Sequence, residues 1–411
     1  MFLLLLHYTR RAWPAAAGAG VILLSPDLLA ISAGGMESFL FTSLIVGALL
    51  AVNRGRAFLA GALLGLACLT RVEGFLAAPL IVVALGWRNW KRWVPAGLIA
   101  ATPLIAWIVF ASFYYGTPVP QSILAKAKPI YQLNAGTCLV DTARHFGAYV
   151  TGWRLVRFQD VWGALAVGLV IVSGIVTVMR SDARRAHAYQ PAAICLALLA
   201  FYAVGNPMAF AWYWPPITMF GLLAILLALW MLPWRSRGGR VAVAIACAGW
   251  FALILLPRAP GAQVRAAWAA VEADTSRRRI SGYETAAHRL NEIAAGQAVA
   301  SPEIGALGFY YRGKILDSCG LVSPEALPYL PVPRHAQSNP RVGAISVEFT
   351  AALRPPWVVT LRCFAERSLL ANEWFAREYE LVEAVPLEVT FSGSDHVLIY
   401  RRREDGRFYR M

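Results

Sequence analysis

The chain has 411 residues, 58% of them hydrophobic and only 15% charged. A soluble domain carries about 25% charged residues, so most of this surface is not built to meet water. The formal charge of +15 does not point to nucleic acid, because Lys and Arg fall in short clusters between apolar blocks and form no basic face interleaved with aromatics.

The apolar blocks have the length of bilayer helices, about 20 residues. Met1–Leu6 is a short apolar stub, too short for a signal-peptide core, and reads as the last turns of a helix whose beginning lies upstream. Arg10 and Arg11 then mark a cytoplasmic edge. From there the chain is expected to run outward over 12–30, inward over 39–52, outward over 57–69, and inward over 75–85. It exits over 94–113 into a long external loop from Tyr114 to about Asp160. It returns over 161–179, exits over 192–204, returns over 215–232, and exits again over 241–256. The internal turns hold eleven basic residues: Arg54 and Arg56; Arg88, Lys91 and Arg92; Arg180, Arg184 and Arg185; Arg235, Arg237 and Arg240. The short external turns hold only Arg71. That asymmetry fixes the expected orientation.

The expected fold is therefore a polytopic α-helical membrane protein, about nine spans plus the N-terminal stub, over residues 1–257. A small extracytoplasmic α/β domain is expected over 258–411. Its opening, Arg265–Arg279, reads as a basic surface helix, and Tyr283–Ala295 as a second helix. Strand candidates are Ala298–Ser301, Lys314–Asp317, Trp357–Leu361 and His396–Arg401, with a helical stretch over Glu366–Glu378. The Pro-rich run Leu327–Pro340 reads as loop.

Six cysteines lack metal-ligand spacing. Cys68, Cys195 and Cys247 fall in apolar spans and read as packing residues. Cys138, Cys319 and Cys363 lie in external segments where a disulfide can form, and Cys319–Cys363 is the pair to check. The six histidines are isolated, so no histidine-based metal site and no cofactor is expected; a divalent-metal requirement is left open.

Ionisable groups at a bilayer edge are costly and usually functional. Three expected external sites concentrate them. In Gly34-Gly35-Met36-Glu37-Ser38, Glu37 heads the next span, where a carboxylate complements the helix dipole or faces a cavity open to a hydroxyl, sugar or cation. Thr70-Arg71-Val72-Glu73-Gly74 offers Arg71 and Glu73, as an ion pair or as cavity and headgroup contacts. Tyr114-Tyr115-Gly116-Thr117-Pro118-Val119-Pro120-Gln121-Ser122, followed by Lys126 and Lys128, offers interface anchors or a grip on a lipid phosphate, for which Lys serves as a point charge. All three fall on one side of the membrane, which points to a polar, lipid-linked, phosphorylated substrate.

The segments Gly35-Met36-Glu37-Ser38, Leu66–Gly74, and Tyr114-Tyr115-Gly116 with downstream Ala125-Lys126 resemble polytopic GT-C glycosyltransferases. The bacterial arabinofuranosyltransferase-like and mannosyltransferase-like members are the nearer likeness. The run Glu303–Tyr311, then Leu316-Asp317 and Gly320–Glu325, resembles their tail domain. The resemblance implies a multi-pass protein of the bacterial inner membrane. It implies transfer of a sugar from a polyprenyl-phosphate donor to an extracytoplasmic glycan or lipid acceptor. Lys126 and Arg71 would hold the donor phosphate and steady charge on the leaving group. Glu37 would be the catalytic candidate beside the sugar or acceptor, with Glu73, Tyr115 and Gln121 as further substrate contacts.

Three departures qualify this expectation. The family's principal catalytic acid lies in a first external loop, and upstream of Glu37 only Asp27, in Ser25-Pro26-Asp27, is available. Either further spans precede the recorded start, or the general base, typically worth about 10²–10⁴ in rate, is absent and the chain is inactive as written. Val72 replaces a more usual Pro, and Gln121-Ser122 an Asn-Thr pair. The alternatives are a lipid-linked substrate transporter or flippase, a surface-polysaccharide ligase, and a non-catalytic membrane accessory protein. Inverted repeats or mid-span charges would favour the first.

Overall fold

The computed structural model describes residues 1–23, 37–128, 131, 133–151, 159–185, 187–205, 210–231 and 275–403. It divides into two compact units, Met1–Pro118 with Asn134–Ala269, and Val119–Leu133 with Ala270–Met411.

The first unit is helical. Helix α1 (Phe2–Thr9) stops where Arg10 turns left-handed, and α2 (Ala12–Leu23) follows with Pro14 in its first turn, where a missing N–H breaks no helical bond. Helix α3 (Ser38–Asn53) leads through a tight turn to α4 (Ala57–Thr70). Arg71 is extended, with φ −153° and ψ 136°, and ends α4. A 3₁₀ stretch, Val72–Ala77, precedes α5 (Ala78–Leu85), so the span expected at 75–85 begins as tighter winding. Helix α6 (Trp90–Tyr115) has 26 residues and ends at the left-handed Gly116. Helix α7 (Gln121–Lys126) belongs to the second unit. Helices α8 (Ala135–Thr151), α9 (Gln159–Met179), α10 (Ser181–Arg185), α11 (Gln190–Gly205) and α12 (Trp214–Met231) complete the bundle.

Helix α12 packs against α1, α2, α3, α8, α9 and α11. Ile217, Phe220, Leu223 and Leu227 on it are fully buried, as expected of a helix that is apolar all round. Helix α6, by contrast, turns Leu98, Ile105, Ile108, Val109, Phe110 and Phe113 outward. Such a continuous apolar face suits hydrocarbon better than water. By length and composition, α6 alone among the described residues is long and apolar enough to cross a membrane; the apolar stretches of the other helices run to 10–17 residues. The span expected at 241–256 lies outside the described residues.

The stretch from Tyr114 to Asp160 is not one loop. It holds α7, α8 and the start of α9. Cys138, Thr142 and Phe146 are buried along α8 at intervals of four, one helix face. Asp141, Arg144 and His145 fall between them and break the hydropathy of the block.

The second unit has a five-stranded sheet in the order β2-β1-β3-β5-β4. Helix α13 (Thr275–Ile293) joins the two expected helices into one across their described part. Then come β1 (Val299–Ser301), α14 (Gly305–Tyr310), β2 (Ile315–Asp317), α15 (Val347–Leu353), β3 (Trp357–Leu361), α16 (Arg362–Ala365), α17 (Glu373–Glu378), β4 (Tyr379–Phe391) and β5 (Ser394–Arg402). Strand β1 runs parallel to β2 and β3, while β5 is antiparallel to β3 and β4. All five residues of β3 are buried, four of them apolar and the fifth, Thr360, donating its hydroxyl to the Leu361 carbonyl. Tyr283, Ala286, Ala287 and Leu290 of α13 belong to the same core.

The elements of this unit differ from the expected ones at two places, and the open cysteine pair is settled. The 13-residue β4 was not anticipated, because four acidic or proline positions (Glu380, Glu383, Pro386, Glu388) obscure its alternation. Pro386 is tolerated because β4 is an edge strand. Of the helix expected over Glu366–Glu378 only α17, over its last six residues, forms; 366–371 are turns that follow α16. Cys319 and Cys363 are both free thiols; the Cys319 S–H donates to the Pro302 carbonyl at 3.4 Å.

Candidate functional site

The end of α4 determines the centre of the site. Because Arg71 leaves the helix in extended geometry, its side chain turns into the bundle, where it is 4% exposed. Its Nη1 donates to Glu37 Oε1 at 2.8 Å, to Ser38 Oγ at 3.3 Å and to the Trp212 carbonyl at 3.4 Å. Its Nη2 donates to Glu73 Oε1 at 3.1 Å and to the Tyr202 hydroxyl at 3.0 Å. The guanidinium carbon lies 4.7 Å from the centre of the Tyr213 ring, within cation–π range. Four chain segments converge on this one cation: the start of α3, the 3₁₀ turn after α4, α11, and the turn before α12.

The two carboxylates differ. Glu73 is 7% exposed and is satisfied by Arg71 and by Tyr202, whose hydroxyl donates to Glu73 Oε1 at 2.6 Å. Glu37 keeps 41% of its side chain exposed while bound to Arg71. It makes no side-chain capping bond to α3, so its carboxylate is directed to the ion pair and not to the helix start. The arrangement presents one half-exposed carboxylate on a buried Arg71–Glu73 ion pair. Chemically it can accept hydrogen bonds from a ligand hydroxyl at Glu37, and it holds that group in one place.

The structure brings together three of the residues expected from the sequence, Glu37, Arg71 and Glu73. Tyr115 is in the same unit but exposed, in an aromatic group with Tyr114, Phe110 and Trp107 at the end of α6. Gln121 and Lys126 belong to the second unit. There Gln121 Nε2 donates to the Gly320 carbonyl at 3.0 Å, and Lys126 is exposed at the end of α7. The Gly320 turn is built on Asp317, whose carboxylate accepts the backbone N–H of Cys319, Leu321 and Val322. Gly320 itself has φ +73°, a conformation that glycine adopts without strain. Asp27 lies outside the described residues. Among the described residues no group of three or more His, Cys, Asp or Glu side chains is placed to hold a metal ion.

Sequence reading missed Tyr202, Ser38 and Tyr213 as members of the Arg71 cluster. Ser38 adjoins Glu37, but a serine at a helix start is too common to signal a site. Tyr202, inside an apolar run, carried no local signal. His145 on α8 stacks on Trp214 with ring centroids 4.4 Å apart; the pair is 69 residues apart in sequence.

A family model described as Domain of unknown function (DUF8728) matches residues 269–400. No curated protein matches the sequence. Among solved structures, the cryo-EM structure of arabinofuranosyltransferase AftD from Mycobacteria is similar to the chain. That likeness covers 95% of this chain and 31% of that one, at 15% identity and a TM-score of 0.43. This chain thus spans less than a third of that enzyme's length.

Proposed function

We propose that this chain is a membrane-embedded glycosyl-transfer unit, passing a sugar from a polyprenyl-phosphate-linked donor to an extracytoplasmic glycan or lipid acceptor. The observation that carries the reading is the half-exposed Glu37 carboxylate fixed on the buried Arg71. The motifs that resemble GT-C enzymes coincide with it, since Gly35–Ser38 and Leu66–Gly74 supply Glu37, Ser38, Arg71 and Glu73. In this reading Glu37 orients a hydroxyl of the sugar or acceptor, and positioning of that kind contributes by holding reacting groups in a near-attack geometry. Arg71 is committed to Glu37, Glu73 and Tyr202, which makes it a positioning residue. Localisation in the bacterial inner membrane, with residues 258–411 extracytoplasmic, belongs to the same proposal.

The test is sugar transfer by membranes containing the native protein, with a radiolabelled polyprenyl-phosphate sugar as donor. Glu37→Gln is expected to lower kcat/KM by about 10²-fold, with protein level unchanged. Undiminished transfer by Glu37→Ala would remove Glu37 from the reaction. A lipid-linked substrate transporter is the second reading. It is favoured by the interruption at Arg71–Ala77, which places ionisable groups at a helix break. That reading predicts that the labelled donor changes leaflet without forming product.

A further inference from the structure

At the other end of α3 from Glu37, about 24 Å away for a 16-residue helix, lies a cavity of about 540 Å³. Leu6, His7, Arg10, Asn53 and Arg54 line it. Arg10 closes α1 in a left-handed conformation and Arg54 closes α3, so the ends of two helices bring two guanidinium groups to one rim. His187 is the remaining titratable group felt by His7, alongside those two arginines. Among the described residues no carboxylate pairs with Arg10 or Arg54.

Beneath the rim, a buried polar network sets the floor. The Tyr8 hydroxyl donates to Gln190 Oε1 at 3.1 Å, and Asn53 Nδ2 donates to the Tyr8 oxygen at 3.0 Å and to Gln190 Oε1 at 3.1 Å. The carboxamide oxygen of Asn53, an acceptor, is buried and has no partner. A buried polar atom without a partner is uncommon in a folded protein, and here it belongs to a residue that lines the cavity. Two cations with no carboxylate partner among the described residues, beside a histidine, give the rim the charge of an anion site; the Asn53 oxygen can only accept, so it is suited to a hydroxyl of the ligand and not to a phosphate oxygen.

We propose that this cavity binds a phosphoryl group, remote from the Arg71 site and independent of the transfer reaction. Basic pockets between membrane helices on the cytoplasmic side take anionic headgroups, and Arg forms bidentate bonds to phosphate oxygens. A phospholipid headgroup and free phosphate share this chemistry.

The full chain, purified in detergent, distinguishes the two sources. Native mass spectrometry with dioleoyl phosphatidylglycerol and dioleoyl phosphatidylcholine reads lipid retention, and thermal unfolding with inorganic phosphate reads the free anion. The expected result is retention of phosphatidylglycerol over phosphatidylcholine. Each arginine removed in R10Q/R54Q is expected to weaken retention about fivefold. R88Q/R92Q, which removes basic residues outside the cavity, leaves it unchanged. A stabilisation by millimolar phosphate that R10Q/R54Q abolishes, without lipid preference, supports the site with free phosphate as its ligand. The single variant R54Q, expected to be intermediate, carries the test if the double variant does not fold. Equal binding by wild type and R10Q/R54Q, equal loss in R88Q/R92Q, or no binding of either probe overturns the proposal.

Discussion

Tyr202 and Arg71 both donate to the same oxygen of Glu73, and Arg71 also donates to the Tyr202 hydroxyl. The three side chains form a closed triangle, so each one's loss is felt by the other two. Removing the hydroxyl alone in Tyr202→Phe is expected to lower stability by about 1–2 kcal/mol. Removing the cation in Arg71→Met strands Glu73 and is expected to lower it by about 3–5 kcal/mol. The double variant R71M/E73Q should be less damaged than R71M alone. Thermal unfolding of the detergent-solubilised chain reads all three, and simple additivity would show that the triangle is not coupled.

Helix α4 meets α6 along two glycines. A Cβ on Gly65 would lie 2.5 Å from the Ala100 carbonyl oxygen, and one on Gly61 would collide with the Ala96 carbonyl. Close backbone approach through small residues is the usual way for membrane helices to pack. Gly65→Ala is expected to destabilise by about 1–3 kcal/mol, read as a lower melting temperature. Gly97→Ala, on α6 with open space around it, should leave the melting temperature unchanged.

Gln121 ties α7 to the Gly320 turn through one hydrogen bond. Losing it in Gln121→Ala is expected to cost about 1 kcal/mol. Amide exchange over residues 121–126 should then accelerate about fivefold, with β3 amides unaffected. Unchanged exchange in α7 would mean that packing, such as Ala125 against Gly320, holds the segment.

Glu303 is paired with Arg279 at 2.9 Å, yet burial pushes its carboxyl above the ordinary value of 4.5, outweighing the arginine and Tyr283. A carboxyl whose folded value is raised binds more protons in the folded state than in the unfolded one. Its contribution to stability is therefore complete below about pH 4.5 and is lost as pH rises through the raised value. Pulse proteolysis of the C-terminal unit in the full chain should show stability falling over that window, and Glu303→Gln should flatten the fall.

Local pattern was enough to read α3, α4, α6 and β3, because long apolar runs and the buried strand Trp357–Leu361 carry their own signal. It failed at α8, where buried residues every fourth position alternate with Asp141, Arg144 and His145, and at β4, where glutamates and Pro386 occupy an exposed edge. The site was half legible. Charged residues at expected membrane edges singled out Glu37, Arg71 and Glu73. Tyr202 lies 131 residues from Arg71 in sequence, and no local property of an apolar helix announces that its one hydroxyl is claimed. Which ionisable residues share a unit was also illegible: Lys126 and Tyr115 are eleven positions apart yet fall in different units.

The second unit is discontinuous in sequence, assembled from Val119–Leu133 and from Ala270 onward. During synthesis its first piece emerges well over a hundred residues before the rest, so α7 must wait for the Gly320 turn that its Gln121 bonds. A fragment started at residue 258 would contain the whole sheet and still lack one of the unit's own helices, leaving the Gly320 carbonyl without the Gln121 amide. Expression of this domain on its own therefore calls for residues 119–133 to be grafted back, in cis or as a peptide.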